Sequence, residues 1–169
     1  MNIRLLEAPG DTEAFRAIRI ESPKDAPVSF RSTEEEMQAM PIEEFEKQLD
    51  DEMVDFIGAF QDDELVGVAA LIYERSQKLS HKASIGAVFV SPTYRNQGIG
   101  RALIMDLIDR AERDEKLKQL NLGVTTTNRT AVKLYEDLGF SIFGTEKNAA
   151  YVDGVFYDEH HMQHVLSPS

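Results

Sequence analysis

The sequence predicts an α/β chain built on a mixed, mostly antiparallel central sheet flanked by helices. Three observations point there. Short apolar runs of strand length alternate with segments of helical period. Two junctions, Gln61-Asp62-Asp63-Glu64 and Asp153-Gly154, carry hairpin turn residues. One strand, ending Val88-Phe89-Val90, passes through a glycine-containing loop directly into a helix, as in layered α/β folds. With 169 residues, residues 1–169 are expected to form a single domain large enough for a substantial core.

Residues 3–6 are a short apolar run that reads as the first strand. Asp11 is placed to cap a helix that buries Phe15 and Ile18. Residues 21–27 hold Pro23 and Pro27 and read as a loop. Ser32 and Glu35 have the spacing of a capping box. Pro41 suits the first turn of a further helical segment with Ile42, Phe45 and Leu49 on one face. Residues 54–60 and 65–73 form a strand pair, and residues 83–90 a third run that Pro92 stops. From Ile99 the period is helical: Ile99, Leu103, Leu107, Ile108 and Ala111 share one face, and Asp106, Asp109, Arg110 and Arg113 face water. Leu120, Leu122 and Val124 alternate as a strand. Residues 128–138 are helical, with Ala131, Leu134, Tyr135 and Leu138 inward and Gly139 in the stop position. Residues 141–145 and 155–166 close the sheet. The predicted order is β-α-α-β-β-β-α-β-α-β-β.

Eighteen Lys and Arg stand against 30 Asp and Glu, a formal net charge of −12. So acidic a surface repels phosphate backbones and anionic bilayers, which argues against nucleic-acid and membrane partners. The chain has no cysteine, which removes disulfides, thiolate metal sites and a Cys nucleophile together. No apolar stretch of signal-peptide length follows Met1, and no run approaches the roughly 20 residues that span a bilayer. A cytoplasmic protein is the expectation. The charge is unevenly spread: residues 75–105 and 116–135 hold no acid, but they hold nine bases. Buried strands lack carboxylates in any case. The bases, however, suit a local anion site, and the acidic remainder suits a cationic second ligand.

The loop Arg95, Asn96, Gln97, Gly98, Ile99, Gly100, Arg101 is the candidate for that anion site. Glycines at a helix start let the backbone approach a ligand and leave N–H groups pointing outward. With the helix dipole, these form a phosphate or pyrophosphate site. The same glycines also suit an ordinary strand-to-helix turn. A Walker A sequence is absent, and the dinucleotide fingerprint needs a third glycine where Leu103 stands. His160, His161 and His164 lack the H-E-x-x-H spacing; on a strand, His160 and His164 share a face with Met162 while His161 points away, so no metal is expected. No G-x-S-x-G elbow supports Ser-His-Asp hydrolysis.

The loop is not alone. Val90-Ser91-Pro92 precedes Arg95-Asn96-Gln97-Gly98-Ile99-Gly100; downstream, Asn128 starts a helix that carries Tyr135 seven residues on and ends Leu138-Gly139-Phe140. This combination resembles the GNAT superfamily of N-acetyltransferases, whose motif reads Q/R-x-x-G-x-G/A after a strand. The element order resembles that family along nearly the whole chain.

The resemblance implies the GNAT fold, acetyl-coenzyme A as co-substrate without a metal, and direct transfer of acetyl to a primary amine of a small molecule. A protein N-terminus or a lysine is the alternative acceptor, and a non-catalytic acyl-coenzyme A-binding module is the alternative class. It further implies that loop N–H groups from Asn96 to Arg101 hold the pyrophosphate. The backbone of Val88, Phe89 and Val90 would pair with the pantetheine arm, an N–H near Val90 polarising the thioester carbonyl. The strand of residues 120–124 would splay away to admit the arm. Asn128 would contact the arm, and Tyr135 would protonate the departing thiolate. A helix-capping role for Asn128 and a core role for Tyr135 stand beside these. Family members are often dimers, and the acidic stretch 34–52 would border the acceptor. Many members place a Glu base in the strand before the loop, but residues 84–90 hold no acid; a water chain, His81 and Glu74 stay open.

Overall fold

The structure, a computed structural model, describes residues 1–167. The elements are β1 (Asn2–Leu5), α1 (Thr12–Asp25), α2 (Glu34–Ala39), α3 (Ile42–Asp50), β2 (Val54–Gln61), β3 (Glu64–Tyr73), β4 (Lys82–Val90), α4 (Ile99–Arg113), β5 (Gln119–Thr125), α5 (Arg129–Asp137), β6 (Ser141–Val152) and β7 (Val155–Val165). The strands form a seven-stranded sheet in the order β1-β2-β3-β4-β5-β7-β6. Every neighbouring pair is antiparallel except β4 and β5, which run parallel. The predicted mixed, mostly antiparallel sheet is what forms.

Both hairpins follow from their turn residues. Asp62 and Asp63 between β2 and β3, and Asp153 and Gly154 between β6 and β7, all have positive φ, the conformation that matches a tight two-residue turn to the twist of its strands. Helices cover both faces of the sheet. On one side α4 buries Ile99, Leu103, Ile104, Leu107 and Ala111 against Val66, Leu71, Leu120 and Met162. On the other, Phe15 of α1 stacks edge-on against Phe56 of β2 (4.7 Å between centroids) and Phe45 of α3 (6.0 Å), beside Val68 and Phe89. Burying side chains of this size is worth roughly 1.5–3 kcal/mol each, and it fixes the helices on the sheet.

Several local expectations shift. Helix α1 continues through Pro23 to Asp25 where a loop was expected. Pro23 lacks only an N–H, and the turn is held by Ser22 Oγ donating to Ile18 O (2.7 Å) and Ala26 N–H donating to Ser22 O (2.9 Å). Asp11 sits at the helix start, but its carboxylate turns back to Arg4 and to Glu7 N–H instead of capping. The cap of α2 is Thr33, which accepts from Glu36 N–H (3.1 Å), one residue beyond Ser32. Three helices therefore lie between β1 and β2, not two. In α4 the buried position is Ile104, while Ile108 is only partly covered. Strand β6 runs on to Val152 because its outer side is a sheet edge: partnership with β7 alone holds residues that show no apolar alternation.

Candidate active site

The site begins with a gap in the sheet. Strands β4 and β5 pair only at Lys82↔Gln119, Ala83↔Leu120 and Ser84↔Asn121. Beyond Ser84 they part. On its other edge β4 is bulged: Val68 pairs with Phe89 and Ala70 with Gly86, so Ala69 alone faces Ala87 and Val88. Ala87 takes a positive φ of 54°, which costs a non-glycine residue on the order of 1 kcal/mol and re-aims the strand. The backbone of Val88, Phe89 and Val90 thereby leaves the edge shared with β5. Phe89 itself is core, edge-on to Phe30 (6.0 Å). Residues of β4 and β5, with Asn128, Ala131 and Tyr135 on one wall, line an open cleft of about 1580 Å³.

At the top of β4 the chain turns through Asn96 and Gly98, both with positive φ (63° and 79°), into α4. The first helical hydrogen bond runs from Ala102 N–H to Gly98 O (3.0 Å). Among the described residues, the N–H groups of Asn96, Gln97, Gly98, Ile99, Gly100 and Arg101 therefore have no protein acceptor. Unused donors at the positive end of a 15-residue helix suit a phosphate or diphosphate. Arg95 is otherwise engaged: its Nη2 donates to Asp25 (2.5 Å), its Nε donates to Val90 O (2.9 Å), and its guanidinium lies over Phe89. It ties the loop to α1, and the backbone of the following residues remains free.

Helix α5 presents Asn128 and Tyr135. Asn128 is the N-cap, its Oδ1 accepting from Ala131 N–H (3.2 Å), while the residue lines the cleft. The other end closes through Gly139 (φ 99°), with Gly139 N–H donating to Glu136 O (3.1 Å) and Phe140 N–H to Tyr135 O (2.9 Å). This Schellman arrangement explains the Leu138-Gly139-Phe140 sequence: it seats Phe140 edge-on to the Tyr135 ring (5.9 Å). The ring is buried, at 7% exposure. The residue lines the cleft, and its hydroxyl makes no hydrogen bond to the described residues. Burial pushes the phenol up to about 12, so the group is fully protonated at neutral pH.

Neither His81 nor Glu74 lines the cleft; His81 lies beside the paired end of β4 and β5, its carbonyl accepting from Lys118 N–H. Glu34 and Glu35 of α2, and Asp51 after α3, do border it, so part of the acidic stretch faces the site. The sequence reading missed Glu146, Glu159 and His161, which also line the cleft. The signal was Gly123 in the middle of a strand, a mark of close approach by another group. His160 and His164 lie on the opposite face of β7, bonded to Thr145 Oγ1 (2.8 Å) and Gly139 O (3.0 Å). Among the described residues no group of three His, Asp or Glu side chains is placed to hold a metal ion, and no helix is long and apolar enough to cross a membrane.

A splayed parallel strand pair beside a helix start with free amides has the geometry to admit a slender ligand with an anionic head. The model of the Acetyltransferase (GNAT) family matches residues 15–140, and the chain belongs to that family. An L-amino acid N-acetyltransferase of Escherichia coli is 29% identical over 104 residues, 62% of this chain and 64% of that protein. The [Ribosomal protein bS18]-alanine N-acetyltransferase of Escherichia coli is 39% identical over 66 residues, 39% of this chain and 44% of that protein. The matches thus span less than two thirds of either relative. The structure of yncA from Salmonella typhimurium, solved with its cofactor acetyl-CoA, superimposes with a TM-score of 0.85 at 18% identity, covering 100% of this chain and 95% of that one.

Proposed function

We propose that the protein transfers acetyl from acetyl-coenzyme A directly to a primary amine of a small molecule, an amino acid being the nearest class. The observation that carries this reading is the parting of β4 from β5 after Ser84 and Asn121, directly below six unpaired loop amides. The residues fit the co-substrate. A diphosphate finds N–H donors from Asn96 to Arg101, and an extended arm finds the free edge of β4 at Val88, Phe89 and Val90. Bound there, acetyl-coenzyme A supplies an activated acyl group. A β4 N–H near Val90 then polarises the carbonyl, and Asn128 flanks the arm. Tyr135 holds a proton at its hydroxyl, within the cleft, for the departing sulfur. The absence of cysteine removes the commonest covalent acyl carrier, in keeping with one-step transfer. The acidic cleft wall supports an amine acceptor, and the amino-acid class rests on the likeness to the Escherichia coli L-amino acid N-acetyltransferase.

The test is thiol release from acetyl-coenzyme A across L-amino acids, alkylamines and a peptide with an N-terminal alanine, read with a disulfide dye. A chain without cysteine gives no background. Amino-acid-dependent release is the expected result. Release with the peptide alone moves the acceptor to a protein terminus. Binding of coenzyme A with no release above the amine-free control leaves a binding module and overturns the proposal.

A further inference from the structure

The reaction needs a group to take a proton from the incoming amine, and the strand before the loop holds no acid. An alkylammonium has a pKa of about 10, so at neutral pH nearly all acceptor arrives without a free lone pair. The structure supplies a carboxylate from elsewhere. Strand β7 pairs with β5 in the register Gly123↔His161 and Thr125↔Glu159, and with β6 in the register Gly144↔His161 and Glu146↔Glu159. Glu159 and His161 are two residues apart and share a face. That face is opposite to Met162, which packs in the same core as Tyr135.

Gly123 lies two residues past Asn121, the last β5 residue paired with β4. The Glu159 side chain lies flat over it: a Cβ at Gly123 would overlap Glu159 Oε1 and come within 2.8 Å of Cδ. Glycine at this position makes the room that the carboxylate occupies, at the mouth of the gap where β4 has left the sheet. The groups facing Glu159 are His161 on its own strand and Glu146 on β6, with Gly123 and Thr125 on β5. His161 Nε2 lies 3.4 Å from Glu146 Oε1 and 3.9 Å from Glu159 Oε1. Across the cleft stand Arg31, Glu34 and Glu35. Two carboxylates in direct cross-strand register repel one another, and a cation between them relieves that repulsion. His161 is one such cation when protonated; a substrate ammonium is another.

We infer that Glu159, held over Gly123 and flanked by His161 and Glu146, is the catalytic base that receives the acceptor amine. The inference rests on the acetyl-transfer reading above. Glu159 takes one N–H proton from the ammonium, and the freed lone pair forms the C–N bond at the thioester carbonyl. As the C–S bond breaks, sulfur keeps the bonding pair and takes a proton from Tyr135. Tyr135 regains one from the nitrogen, now an amide. Glu159 returns its proton to water past the partly exposed His161 ring, so one proton is released per turnover. Base and acid thus act from opposite faces of the sheet, one on the entering nitrogen and the other on the leaving sulfur.

The experiment measures kcat/KM between pH 6.5 and 9.5 for wild type, Glu159→Gln and Gly123→Ala, with the amino acid or peptide of the panel that wild type turns over fastest. Coenzyme A affinity by calorimetry serves as the control for folding. Loss of a general base costs 10²–10⁴-fold, so Glu159→Gln is expected to fall at least about 100-fold at pH 7. Below the pKa of the acceptor's own amine its rate should climb close to tenfold per pH unit as free amine accumulates, a recovery that a merely structural role does not give. Gly123→Ala, which displaces the flexible Glu159 side chain without touching its chemistry, should show a smaller loss in the same direction. An active wild type with Glu159→Gln within threefold at every pH overturns this inference alone. A wild type that releases no thiol with any amine overturns both it and the proposed function.

Discussion

Replacing Tyr135 by Phe removes one oxygen from the cleft and leaves the packing intact. The hydroxyl has no partner among the described residues, and the ring keeps its contact with Phe140. No buried donor or acceptor is orphaned, so the stability change should stay within about 1 kcal/mol. The chemical cost is larger. With the phenol pushed up to about 12 and a free thiol near 8.5, complete transfer to the released thiolate is uphill by about 5 kcal/mol. The hydroxyl therefore acts first as a hydrogen bond to the charge that builds on sulfur, and its proton crosses as the amide nitrogen resupplies one. Removing one such donor from a preorganised site costs about 10²–10³ in kcat, or roughly 3–4 kcal/mol. Tyr135→Phe should accordingly lose about 100-fold or more in kcat, with coenzyme A affinity unchanged by calorimetry. The direction of the pKa shift adds a sign. A raised phenol keeps its proton through pH 10, where an ordinary tyrosine loses it. Wild-type kcat should then show no Tyr135-dependent decline until about pH 12. A Phe variant within threefold of wild type, or a loss confined to coenzyme A affinity, refutes the assignment.

Two further outcomes follow from the same structure. Gly98→Ala puts a Cβ on a residue at φ 79° with open space around it, so the penalty is conformational, about 1–2 kcal/mol. Relaxing that strain re-aims the loop amides, and coenzyme A affinity should fall roughly tenfold by calorimetry, 1.4 kcal/mol being a factor of ten. Leu103→Ala empties a fully buried site between α4 and the sheet. It should cost about 2–5 kcal/mol and lower Tm by roughly 4–20 °C, at the 2–4 °C per kcal/mol of a chain this size. Coenzyme A binding should persist at low temperature.

What the sequence determined by itself was local and periodic. Asp-Asp and Asp-Gly turns set two hairpins because positive φ is a property of the turn residues. Gly98 and Gly139 marked the start of one helix and the end of another for the same reason. The alternation of Leu120, Leu122 and Val124 and the helical spacing of Ile99, Leu103 and Leu107 told which faces enter the core. The loop and the Asn128-to-Tyr135 spacing marked the candidate donor side, since amides at a helix start and residues two turns apart are held by one element each. Errors fell where long-range contacts compete with local signals. Arg4 drew the Asp11 carboxylate away from its helix, and β7 alone sustains the far half of β6.

The proposed acceptor side is the work of tertiary structure. Whether β4 and β5 pair or part depends on a bulge and on strands from different parts of the chain, and no composition records it. Glu159 meets Gly123 only because β7 inserts between β5 and β6, bringing together residues 36 positions apart in the chain. A side-chain period of two tells which way a residue points. It does not tell which strand lies next to it, and that adjacency is what places a carboxylate at the mouth of the cleft.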